Sequence, residues 1–86
     1  MRHATRDDLE TLGVLLEALR GLPTLKERKP GVFYRKSKAF LHFHEDGGQL
    51  FADVRLDGKD FDRLPVTARS AQRKLLAAIR AIIQPG

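Results

Sequence analysis

The stretch from Ala39 to Leu56 restricts the possible folds more than any other part of the chain. Ala39-Phe40-Leu41-His42-Phe43-His44-Glu45-Asp46 alternates in character with a period of two and runs into Gly47-Gly48. Gln49-Leu50-Phe51-Ala52-Asp53-Val54-Arg55-Leu56 then alternates again. A period of two is that of a strand, and paired glycines supply the positive backbone angles of a tight hairpin turn. Leu41 and Phe43 fall on one face with Leu50, Ala52, Val54 and Leu56. Phe40, His42, His44 and Asp46 fall on the other with Phe51, Asp53 and Arg55. A two-residue turn sets His42 opposite Asp53, and a four-residue turn sets it opposite Phe51; the faces are the same in both registers. The first face reads as core and the second as mixed.

The flanking sequence supplies layers for that core face. Thr5 with Asp8 has the form of a helix start, and Leu9, Leu12, Leu15, Leu16 and Leu19 make one apolar stripe, giving a helix over about 6–20 that Gly21 and Pro23 end. Met1 to Ala4 reads as loose. Residues 22–31, with two prolines and the basic run Lys26, Arg28 and Lys29, read as an irregular connector. Strands are expected over about 32–36, 39–45 and 49–56. A short edge strand over about 60–64, stopped by Pro65, is an optional fourth. Thr67 is placed to cap a last helix over about 68–83, with Ala68, Ala71, Leu75, Ala78, Ile79 and Ile82 inward. The expectation is one α+β domain, residues 1–86. It is a two-layer sandwich in the order helix, three- or four-stranded antiparallel sheet, helix, with both helices on one sheet face. The face bearing His42 and His44 is then left open.

A chain of 86 residues holds a single core. The absence of cysteine excludes disulfides, thiolate metal sites and thiol nucleophiles, and it fits a reducing compartment. No apolar run approaches the roughly 18 residues that cross a bilayer, and no signal-peptide core is present, so the expected setting is cytoplasmic, with no membrane partner. The net charge of +5 is uneven: residues 20–44 carry +6 and 63–86 carry +5, whereas 45–62 carry −4. Basic surfaces of this kind attract nucleic acid.

Two constellations carry possible chemistry. His42 and His44, two apart on a strand, point to one side, and with Asp46 or Asp53 they supply nitrogen and oxygen ligands suited to zinc or another divalent metal. The same face (His42, His44, Asp53 and Arg55) also suits acid–base work, a carboxylate orienting an imidazole while Arg55 or Tyr34 holds an anionic substrate. Equally, the imidazoles can simply cover apolar surface and bond to Asp53. No nucleophile elbow or phosphate loop is present, which argues against an enzyme, and no cofactor is implied. The second constellation is cationic: Lys26, Arg28 and Lys29; Arg35, Lys36 and Lys38; and Arg69, Arg73, Lys74 and Arg80. Phe33, Tyr34, Phe40 and Phe51 are candidate stacking residues beside it. The open face is also a candidate surface for a second copy or a protein partner. The residues favour a non-catalytic binding or assembly module, with nucleic acid as the leading partner class. The competing reading is a histidine-centred site, metallated or acid–base.

Phe40-Leu41-His42-Phe43-His44-Glu45-Asp46, followed by Ala52-Asp53-Val54-Arg55 and Phe61-Asp62-Arg63-Leu64-Pro65-Val66, resembles small bacterial proteins to which no activity is assigned. The order of elements is also similar to that of the MmcQ/YjbR-like group. There a leucine-proline pair follows the first helix, as Leu22-Pro23 does here, and a lysine precedes a buried phenylalanine, as Lys38 precedes Phe40. That resemblance implies a frataxin-like sandwich and a double-wing role on DNA. The chain departs from the group in its short length and in having no tryptophan near its end.

Overall fold

Strands and helices follow one another as β1 (Arg2–His3), α1 (Arg6–Thr11), α2 (Gly13–Arg20), β2 (Leu25–Lys29), β3 (Val32–Arg35), β4 (Lys38–Asp46), β5 (Gln49–Val54), β6 (Asp62–Pro65) and α3 (Arg69–Ile83). They come from a computed structural model that describes residues 2–83; Met1 and residues 84–86 lie outside the described residues. The first helix opens on a reciprocal cap. Thr5 Oγ1 accepts from the Asp8 amide at 3.3 Å, and Asp8 Oδ2 accepts from the Thr5 amide at 2.8 Å. The single helix expected over 6–20 is instead two segments, because Leu12 (φ −91°, ψ 12°) leaves helical geometry just before Gly13. The leucine stripe survives the break: Leu12, Leu15, Leu16 and Leu19 are all buried.

The sheet is antiparallel in the order β2-β3-β4-β5-β6, with β1 paired to β4 off that path. Among the described residues six strands stand where three or four were expected, and the two additional ones lie in segments read as loose or irregular. β2, Leu-Lys-Glu-Arg-Lys, is an outer strand in which only Leu25 is buried, so its four charged residues leave no apolar alternation to read. β1 is too short to carry a period. Because β5 occupies one edge of β4 along Leu41–Asp46, β3 and β1 share the opposite edge, β3 against Lys38–Leu41 and β1 against His44–Glu45. Pro65 closes β6 from within, paired with Phe51, which an outermost strand tolerates.

One apolar cluster joins the inner residues of both long helical segments to the sheet. Leu15, Leu16 and Leu19 of α2 and Leu75 and Ile79 of α3 pack with Phe33, Leu41, Phe43, Leu50, Ala52 and Val54. Phe40 belongs there too, only 3% exposed, and not to the histidine face where strict alternation put it. The cause is a β-bulge: between the pairs Phe33↔Leu41 and Tyr34↔Ala39, β4 advances two residues while β3 advances one. The additional residue is thereby released from strict alternation. The inner stripe of α3 also shifts. Ala68 is exposed and precedes the helix, and Gln72 is buried, its amide donating to Val66 O at 2.9 Å. Thr67 Oγ1 accepts from Leu50 N at 2.8 Å, tying the entrance of α3 to β5. Among the described residues no helix is long and apolar enough to cross a membrane.

Candidate metal centre

Period-two geometry turns His42 and His44 of β4 to the side of the sheet away from Leu41 and Phe43. The pairing of β1 then sets His3 directly opposite His44. Residues opposed across an antiparallel pair carry their side chains on one face, about 5 Å apart at Cβ. Three imidazoles from two adjacent strands therefore converge. Their ring centroids are 4.7 Å apart for His42–His44, 4.9 Å for His3–His44 and 6.1 Å for His3–His42. One ligating atom from each lies within 4.8 Å of the others.

The surroundings of the trio are partly closed. Phe61 meets His42 edge-on at 4.9 Å, and the Arg55 guanidinium lies 4.2 Å from the Phe61 ring centre, so the face expected to be open carries a small cover. His42 and His44 are half-buried and His3 is exposed. Asp53, opposite His42 in register, is 7% exposed. Arg63 grips both of its oxygens, Nε to Oδ1 at 2.9 Å and Nη2 to Oδ2 at 3.0 Å. Asp53 Oδ2 also stands 3.0 Å from His44 Nε2. That ion-pair approach falls outside hydrogen-bond geometry, and His44 Nε2 is left without a hydrogen bond. Among the described residues four buried side-chain nitrogens lack one: His42 Nδ1, His44 Nε2 and Arg55 Nε on this face, and Arg35 Nε elsewhere. Unpaired buried polar atoms are rare and costly; His44 Nε2 has the Asp53 carboxylate beside it, so of the two buried ring nitrogens His42 Nδ1 is the one with no partner.

Charge follows the geometry. The Arg63 guanidinium holds the Asp53 carboxyl below its ordinary value, more than offsetting burial, and His44 and His42 add to the effect. Burial, and next the nearby His44, push His42 below the usual imidazole value. His42 is thus neutral at pH 7, the form whose lone pair binds a metal.

His42, His44, Asp53 and Arg55 share this face. The third imidazole, His3, was missed by sequence reasoning. Asp53 is occupied by Arg63, and the cluster of potential ligands contains neither it nor Asp46, which is exposed at the hairpin end. Only the strand pairing brings His3 in; no spacing in the sequence links residue 3 to residue 44. The cationic groups are dispersed. Arg35 donates to Ile82 O at 3.4 Å and lies over Phe40, bracing the end of α3, while Lys36 and Lys38 are exposed at the β3–β4 turn. Arg69, Arg73, Lys74 and Arg80 are exposed on α3. Phe33 and Phe40, expected as stacking residues, are buried at 1% and 3% and so are closed to nucleobases. Comparison of the chain with family models, with curated proteins and with solved structures returns no match.

Proposed function

We propose that this protein binds one divalent transition-metal ion, zinc foremost, through His3, His42 and His44. The observation that carries the reading is the register His3↔His44, which adds a third imidazole to a pair whose spacing alone is commonplace. Imidazole is a borderline ligand that suits zinc, copper and nickel, and three of them are a recurrent set for a zinc ion that keeps a fourth position for an outside ligand. Zinc–nitrogen bonds of about 2.0–2.1 Å in a tetrahedron need nitrogens roughly 3.4 Å apart. The trio lies within 4.8 Å, so holding zinc requires the rings to close to that span, with exposed His3 the least packed of the three. Asp53, fixed by Arg63, faces His44 from behind, as carboxylates behind metal-bound histidines do. Equilibrium dialysis of tag-free protein against zinc is expected to give one ion per chain, and His3→Ala, His42→Ala and His44→Ala each to lose it. Substoichiometric zinc, or full binding by all three variants, rejects the reading.

A second reading, nucleic-acid binding, draws on the exposed cations Arg69, Arg73, Lys74 and Arg80 in a segment, residues 63–86, that has no acidic residue. Its signature is binding to mixed-sequence DNA or RNA that weakens steeply with salt, with a shallower slope in Arg69→Ala/Arg73→Ala. No binding at low salt removes it.

A further inference from the structure

β4 is nine residues long, yet β3 accompanies it only as far as Leu41 and the β1 segment reaches only as far as Phe43, whose carbonyl accepts from Ala4 N at 3.1 Å, which leaves a gap in the shared edge at His42. A cavity of about 430 Å³ lies there, within the range of small-molecule sites. Two of the three imidazoles, His3 and His42, line it, and Arg28, Lys29 and Tyr34 line it from the β2–β3 hairpin. Among its described lining residues there is no carboxylate.

Local contacts fix the backbone of that hairpin. Arg28 sits at the irregularity where β2 advances from Glu27 to Lys29 against a single step of β3, and such bulges re-aim side chains. Its guanidinium lies 5.7 Å from the centre of the Tyr34 ring. The hairpin tip is braced: Glu27 Oε2 accepts from Gly31 N at 2.8 Å, and Arg20 Nε donates to Glu27 Oε1 at 2.6 Å. Gly31, at φ +75°, presses so close to Leu9 that a Cβ would stand 2.6 Å from Leu9 Cδ2.

Three neutral imidazoles leave a divalent ion with its full charge, and the nearby carboxylate, Asp53, is already neutralised by Arg63. An anion is therefore the favoured fourth ligand, and the cations of the hairpin lie in the same cavity. We propose that the cavity binds a small molecule through an oxyanion, a carboxylate or phosphoryl group. The oxyanion takes the metal's fourth position while Arg28, Lys29 and Tyr34 hold its outer oxygens. This rests on the metal reading above.

Cobalt-loaded, tag-free protein tests it, since tetrahedral cobalt reports its ligands by visible absorption. Titration with sodium acetate and with methylphosphonate is expected to shift that absorption saturably, and the tighter of the two identifies carboxylate or phosphoryl as the ligand class. Arg28→Gln and Tyr34→Phe are each expected to weaken the anion about five- to tenfold, the worth of one hydrogen bond at a solvent-accessible site, with cobalt affinity unchanged. A cobalt spectrum that ignores both anions, or anion affinities equal in wild type and both variants, overturns the inference and leaves the metal reading standing. No cobalt spectrum at all overturns both. Tyr34→Phe removes only a hydroxyl, so it decides the matter even where Arg28→Gln disturbs the hairpin.

Discussion

Leu41 and His42 are neighbours in the chain, yet the two sides of β4 they face are finished in opposite ways. Leu41 and Phe43, 0% and 2% exposed, are packed in the apolar cluster shared with the helices, and the buried polar side chain there, Gln72, is satisfied by Val66 O. His42 and His44 are only partly covered, His42 by Phe61 with Arg55 over it, and His42 Nδ1 is buried there without a hydrogen bond. The first arrangement lowers the free energy of the fold by itself. The second carries a desolvation penalty that a ligand would relieve. The packed core and the proposed metal site are thus divided between the two surfaces of one strand.

That division can be broken in four ways. Phe43→Ala has the largest expected effect, a loss of about 3–5 kcal/mol in chemical denaturation, because a buried ring is removed from a packed site. A loss below 1 kcal/mol would mean that the helix side is not the structural one. Next, zinc at a hundred times its dissociation constant is expected to stabilise the wild type by about 2.7 kcal/mol. His44→Ala should lose that increment in a thermal or denaturant melt while keeping the rest of its stability to within about 1 kcal/mol. Equal stabilisation of both proteins contradicts the assignment. Asp53→Ala, which strips both oxygens from Arg63, is expected to cost roughly 1.5–3 kcal/mol. It is also expected to weaken zinc binding about 10- to 100-fold, since the group behind His44 is gone. A metal affinity that stays put confines Asp53 to the fold.

The smallest effect is acid-dependent and tests the cavity rim. The Arg20 hydrogen bond, aided by the Gly31 amide, holds the Glu27 carboxyl below its ordinary 4.5. A carboxylate depressed in the folded state contributes stability above its unfolded value and loses that contribution as pH falls through the lower folded value. Arg20 is half exposed, so the contribution should be under about 1 kcal/mol. Glu27→Gln is expected to be less stable than wild type at pH 7 and to converge on it as pH falls from 4.5 through the lower folded value. Parallel stability curves across that range would exclude the ion pair as a brace.

The hairpin at the centre was legible because side-chain period and turn chemistry agree. Gly47 and Gly48 adopt φ of 60° and 83°, the two-residue turn forms, and His42 meets Asp53. The neighbouring turn shows the limit. Lys36 and Ser37 take the same left-handed angles, 53° and 67°, with no glycine to announce it. Phe40 was misplaced because a bulge is a property of two strands in register, and neither strand records it alone. β2 was hidden by its exposure, since a strand wetted by solvent carries no apolar alternation. His3 was beyond reach for the plainest reason: two residues, Arg2 and His3, acquire meaning only from the strand they happen to pair with.

The outermost strands have a consequence for self-association. On one side the lysines and arginine of β2 crowd the free backbone, and a bulge kinks it. On the other, Pro65 withholds an amide and Arg63 adds charge. Neither rim is a good template for a further chain to stack upon, so cross-β growth is disfavoured at both ends. Copies of this protein that meet in concentrated solution are therefore not expected to zip into fibres through the rims of the sheet.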